Sequence, residues 1–144
     1  MIVLDANILL YAYDTGARQY PAARSYLEQI LSAPDPVGIP LLSLLAFLRL
    51  STKAGLLAAP YTMEEAIAFV ESWLEQPQVR VLIPGERHWS ILKHLLIAGQ
   101  VRGALVTDAE IAALTLECGG ELQTNDRDFA RFPGLRWKNP LAKR

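Results

Sequence analysis

The chain has 144 residues, 51% of them hydrophobic, with 14 basic and 15 acidic side chains and a formal net charge of −1. That length and apolar fraction suit one domain with a sizeable core; they exclude a disordered chain, and the charge balance excludes a polycation. A single cysteine, Cys118, excludes an intrachain disulfide framework and a cysteine metal knot.

Ile2, Val3 and Leu4 form a continuous apolar run with β-branched residues. Such a run reads as a buried strand, the central strand of a parallel sheet. It ends on Asp5, which falls at the carboxyl edge of the sheet, where ligands bind in open α/β folds. Asp5 also suits a helix N-cap, because Ile8 to Tyr11 can open a helix, and both readings stand. No basic n-region precedes the apolar start, so no signal peptide is expected.

Asp14 to Gly16 mark a turn. A helix is predicted from near Pro21, with Ala23, Tyr26, Leu27, Ile30 and Leu31 at helical spacing, ended by Ala33-Pro34-Asp35-Pro36. Val37 to Ile39 can form a short strand. Leu41 to Lys53 reads as a helix apolar almost all round, with Arg49 its one strong charge before the end. The run Ile39 to Leu50 is broken by Pro40, Ser43 and Arg49 and is too short to span a bilayer. With the missing leader and the single thiol, this leads to the expectation of a cytoplasmic protein with no membrane association.

Thr62-Met63-Glu64-Glu65 has the capping-box pattern, and Ala66, Phe69, Val70, Trp73 and Leu74 continue a helix that Pro77 closes. Val79, Val81 and Ile83 suggest a strand stopped by Pro84-Gly85. Trp89, Leu92, Leu95 and Leu96 mark a surface helix ending near Gly99; His88 and His94 lie on it and take no assigned role. Thr107-Asp108-Ala109-Glu110 reads as a second capping box, opening a helix that runs to Gly119-Gly120. Leu122 to Thr124 follow as a short strand, Asp128 to Phe132 as one helical turn, and Leu135 to Trp137 as an edge strand.

Strands separated by helices imply α/β architecture: a mainly parallel central sheet with right-handed crossovers and helices on both faces. No linker divides the chain, so residues 1–144 are expected to form one domain. In such a sheet, strand C-termini and helix N-termini share one edge. Asp5, Asp108 and Asp126 therefore converge although far apart in sequence, with Asp128 close by. Each has an alternative role: Asp108 complements a helix dipole, Asp126 and Asp128 suit turns, and Thr124 is an ordinary strand residue. Together they form a cluster that a cation must compensate unless protons do. Hard oxygen ligands without cysteine suit Mg2+ or Mn2+, and such a centre serves phosphodiester hydrolysis. Arg49 either faces the acidic edge, pairing with Asp126 or Asp128 or meeting a substrate phosphate, or extends to solvent at its helix end. Arg127 and Arg131 flank the acids, whereas Lys143 and Arg144 belong to a solvated C-terminus.

Four stretches resemble a known family in order and spacing across essentially the whole chain. They are Val3-Leu4-Asp5-Ala6-Asn7-Ile8-Leu9-Leu10, Leu44 to Thr52, Thr107-Asp108-Ala109-Glu110-Ile111-Ala112-Ala113-Leu114, and Thr124-Asn125-Asp126-Arg127-Asp128-Phe129. The sequence looks like a PIN-domain nuclease, a VapC-type toxin of a bacterial toxin–antitoxin pair. The resemblance implies a PIN-like α/β/α domain and a metal-dependent endoribonuclease using Mg2+ or Mn2+. It implies Asp5, Asp108 and Asp126 as catalytic, metal-binding carboxylates and Asp128 as an additional acid. Asn7 is then placed to orient Asp5, Thr124 to hold water or support a ligand, and Arg49 and Arg127 to meet substrate. It further implies an RNA substrate, a homodimer and a cognate VapB-like antitoxin.

One departure stands out. Many family members carry a glutamate a few residues before an arginine in the second helix, whereas Leu44-Leu45-Ala46-Phe47-Leu48-Arg49 places Ala46 in that slot. The missing charge motivates an alternative: a PIN scaffold that binds RNA or protein without cutting. A metal-dependent phosphatase would use similar acids, but Asp5 is followed by Ala6-Asn7 and not by an Asp-x-Asp nucleophile motif.

Overall fold

Ile2–Leu4 is the central strand, β1, of a five-stranded sheet. A computed structural model describes residues 1–142; Lys143 and Arg144, expected to be solvated, lie outside the described residues. The elements that follow are α1 (Ala6–Tyr11), α2 (Tyr20–Leu31), β2 (Val37–Pro40), α3 (Leu41–Ser51), α4 (Met63–Leu74), β3 (Val79–Leu82), α5 (His88–Ala98), α6 (Leu105–Glu117), β4 (Glu121–Gln123), a 3-10 helix (Arg127–Arg131) and β5 (Trp137–Lys138). The sheet order is β3-β2-β1-β4-β5, and every pairing is parallel.

Alternation along β1 sends Val3 to one face and Leu4 to the other, and each anchors a separate core. Leu4 packs with α1 to α4 around the fully buried Phe47 and Trp73. Val3 packs with α5, α6 and the 3-10 helix around Leu95, Leu122 and Phe129. Helices thus cover both faces, as the interleaved pattern requires.

Some boundaries differ from the sequence reading. The segment Val37–Pro40 is a fully buried inner strand, and the last strand is Trp137–Lys138, two residues downstream of the expected start. The Thr62–Glu65 capping box is present in both directions. The Thr107 box is not: α6 begins at Leu105, and its N-cap, Ala104, makes no side-chain hydrogen bond. A turn over Arg102–Thr107, with Gly103 at φ +56°, gives the Leu105, Val106 and Thr107 amides backbone carbonyl partners, so no side-chain cap is needed.

Trp73, on the apolar face of α4, is buried, and its indole Nε1 donates to the Tyr13 hydroxyl at 2.9 Å. Tyr13, Phe47, Phe69 and Trp73 form a cluster with centroids 4.4–5.7 Å apart. His88, expected on a surface helix, is also buried; His94 is exposed.

The end of α6 sets the register of β4. Gly119 adopts φ +68°, a conformation that favours glycine, and Gly120 passes so close to β1 that a Cβ there would lie 2.7 Å from Val3 Cγ2. Among the described residues no helix is long and apolar enough to cross a membrane.

Candidate active site

Asp5 leaves β1 in extended conformation and caps α1, its Oδ1 accepting from the Ala6 amide at 2.8 Å. Cap and site residue are therefore compatible uses of one carboxylate, since the second oxygen is directed elsewhere. Oδ2 accepts from the Thr124 hydroxyl at 2.7 Å and from Asn7 Nδ2 at 3.2 Å. Thr124 follows β4, the neighbour of β1, so the parallel register brings the two residues to the same edge. Asn7 Nδ2 also lies 3.3 Å from Thr124 Oγ1, and Asn7 Oδ1 accepts from the Asn125 amide at 3.1 Å.

The turn after β4 continues the arrangement. The Asp126 amide donates to Thr124 Oγ1 at 3.0 Å. Asp126 Oδ1 in turn accepts from the Asp128 amide at 2.9 Å, capping the 3-10 helix. Asp108 lies in the first turn of α6. Asp108, Asp126 and Asp128 each present one carboxylate oxygen, and these three oxygens all lie within 4.8 Å of one another. Oxygens at such separations can sit around one octahedral cation with metal–oxygen distances of about 2.0–2.1 Å. Asp5 is outside this trio of close oxygens, its carboxylate engaged by Thr124, Asn7 and the Ala6 amide.

Burial raises the Asp5 carboxyl above its usual range despite the bonds from Thr124 and Ala6, and the Asp126 charge raises it further. Asp108 is pushed up to about 6, first by desolvation and then by the charges of Asp126, Asp5 and Asp128; Arg131 opposes these effects. Desolvation first, and the neighbouring carboxylates second, disfavour the charged form of Asp108. All-oxygen donors, mutual repulsion and the close trio fit a hard divalent cation.

Two arginines stand apart from the acids. Arg49, in the last turn of α3, is exposed and forms no ion pair within 4.0 Å among the described residues. Of its two readings, pairing with Asp126 or Asp128 is thus not found and the solvent-facing helix end is, a position that suits the α3 C-terminal dipole. Arg127 is exposed at the start of the 3-10 helix. Arg131 bonds the Gly99 carbonyl at 3.0 Å, tying the 3-10 helix to the end of α5. Ala46 is half-buried on α3.

Three features escaped the sequence reading. Asn125 and Asn139 hydrogen-bond to each other beside the acidic turn, at 2.9 Å. His88 contacts Glu110, the α6 residue two places after Asp108, with Nε2 and Oε2 2.5 Å apart. Glu117, at the other end of α6, accepts from the Gly85 and Arg87 amides ahead of α5. The helical spacing of His88, Leu92 and Leu95 could have placed His88 on the inner face. Nothing local marks Asn139.

The PIN domain family matches residues 2–135. Ribonuclease VapC33 of Mycobacterium tuberculosis is 40% identical over 143 residues, covering 99% of this chain and 100% of that protein. Ribonuclease VapC37 of the same organism is 40% identical over 142 residues, covering 99% of both. Among solved structures, VapBC-1 from nontypeable Haemophilus influenzae superposes with a TM-score of 0.69 at 22% identity, covering 99% of this chain and 100% of the matched one. Mycobacterium tuberculosis VapC20, described as a sarcin-ricin loop cleaving toxin, gives 0.68 at 19%, covering 94% and 99%. These two structural likenesses bear on the fold; the full-length identities and the family match carry the assignment. The chain belongs to the PIN-domain family, in its VapC branch.

Proposed function

We propose that this protein is a metal-dependent endoribonuclease of the VapC type, a toxin held in check by a VapB-like antitoxin. The observation that carries this is the carboxylate trio Asp108, Asp126 and Asp128 beside the buried Asp5. The relatives named ribonucleases supply the substrate class, RNA.

In this reading Asp108, Asp126 and Asp128 hold Mg2+ or Mn2+, with Asp5 adding negative charge from behind. When bound, the cation supplies Lewis acidity, polarising a substrate phosphate and lowering the pKa of the attacking water. Asp5 fixes the base of the site, because its donors Thr124 and Asn7 leave it little freedom. Thr124 joins the two halves, donating to Asp5 while accepting from the Asp126 amide. Exposed Arg127 and Arg49 provide positive charge for the RNA backbone.

VapBC complexes among the structural neighbours support a VapB-like partner. Exposed Leu41, Leu45, Ile83, Trp89 and Val106 provide apolar surface for that chain and for a second copy of this one. A cytoplasmic location and a single domain over residues 1–144 belong to the same reading.

The test is cleavage of cellular RNA by purified protein with Mg2+, Mn2+ or EDTA, with Asp108→Asn and Asp126→Asn alongside. Metal-dependent cutting, lost in both variants, is expected. RNA binding without cutting under every metal condition would favour the non-cleaving scaffold suggested by Ala46.

A further inference from the structure

The turn that carries Thr124 and Asp126 is held from both sides. On one side Asn7 Oδ1 accepts from the Asn125 amide at 3.1 Å while Asn7 Nδ2 reaches Asp5. On the other, Asn139 Nδ2 donates to Asn125 Oδ1 at 2.9 Å. Asn139 is itself fixed: its Oδ1 accepts from the Leu141 amide at 2.9 Å. The residue before it, Lys138, accepts from the Thr124 amide through its carbonyl at 3.0 Å. β5 has only two residues, so regular ladder pairing contributes little to holding the chain beyond it.

We propose that Asn125 and Asn139 form a clamp that positions the acidic turn for cation binding. The clamp touches neither cation nor substrate. It fixes the peptide between Thr124 and Asp126, and so the spacing of Asp126 and Asp128 from Asp108. Without it, the side-chain restraints left on the turn from outside are Asn7 and the Thr124 hydroxyl, beside the backbone bond from the Thr124 amide to the Lys138 carbonyl, and the three carboxylate oxygens lose their common focus. The proposal rests on the metal reading above but assigns function to two side chains that bear no charge.

Calorimetric titration of Mn2+ into purified, RNA-free protein tests it, with folding checked by circular dichroism below the melting range. Losing a partner that orients a ligand typically costs 10–100-fold in metal affinity. Asn139→Ala and Asn125→Ala should each weaken Mn2+ binding about tenfold, at the low end of that range. The double variant should be no weaker than either single one, because both changes remove the same hydrogen bond. A purely structural role would lower the melting temperature but leave the Mn2+ affinity of the folded protein intact. Unchanged affinity in both single variants overturns the proposal, as do losses that simply add in the double variant. Asp126→Asn separates the two readings. If it too leaves Mn2+ affinity unchanged, the metal reading fails and the clamp with it. If it abolishes binding while Asn139→Ala does not weaken it, only the clamp fails.

Discussion

The Thr124 hydroxyl donates to Oδ2 of Asp5 at 2.7 Å, joining residues 119 apart in the chain in a buried contact. Thr124 is wholly buried and Asp5 nearly so. Removing the hydroxyl would leave a buried carboxylate short of a donor and the Asp126 amide short of an acceptor. Thr124→Val should therefore destabilise the protein by about 1–3 kcal/mol. Thr124→Ser should retain most of the stability. Urea denaturation at neutral pH, comparing the two variants, checks this.

Protonation of Asp108 gives a second prediction. A carboxyl whose native pKa is raised binds protons more tightly folded than unfolded. Stability of the metal-free protein should then fall as pH rises from near 4, the unfolded value, through about 6, and level off above. Asp5, also raised, acts in the same direction. Asp108→Asn removes this group's share of the slope and should be the more stable protein at pH 7 in EDTA. Unfolding curves at pH 5 and pH 7 give the measurement. Equal pH dependence in the two proteins would count against uncompensated charge at this edge.

The elements that carry the acids were legible for identifiable reasons. Ile2 to Leu4 is a continuous apolar run, and only a strand buried on both faces demands one; Asp5 then falls at a predictable edge. Asp108 and Asp126 follow from the same topology. What was not legible depends on partners distant in sequence. Trp73 obeys the helical pattern, but nothing in that pattern says whether its face meets solvent or Tyr13, sixty positions away. Thr107 matches a capping box, yet an upstream turn starts the helix three residues earlier. Arg49 could have pointed to the acids or to water, and only packing of α3 decides that. The Asn125–Asn139 bond requires knowing that a two-residue strand lies alongside β4.

His88 links the start of α5 to the first half of α6. Its Nε2 meets Glu110, while its buried Nδ1 has no hydrogen-bond partner among the described residues and lies 3.9 Å from Glu117 Oε1. His88→Ala should cost about 1–3 kcal/mol, because it deletes packing and strips the half-buried Glu110 of its partner. Since α6 also carries Asp108, Mn2+ affinity should fall as well. His88→Ala together with Glu110→Ala should destabilise by less than the sum of the single changes, which chemical denaturation of the four proteins would reveal.

Ala46 offers the sharpest test of how α3 is placed relative to the acids. If it fills the slot of an acidic ligand, the native centre has one negative charge fewer, and carboxylate count strongly affects affinity for hard cations. Ala46→Glu should then strengthen Mg2+ binding in the RNA-free protein. It should also destabilise the metal-free protein, because the new carboxylate is partly desolvated and faces like charges that add to desolvation in raising Asp108. The effects have opposite signs, so thermal melts with and without Mg2+ separate them. Stabilisation by a ligand grows with the ratio of its concentration to its dissociation constant. The metal-induced rise in melting temperature should accordingly be larger in Ala46→Glu than in the native protein, from a lower metal-free starting point. An equal or smaller rise would mean that the side chain at position 46 does not reach the cation, and that the centre is completed by the turn after β4 and the start of α6 alone.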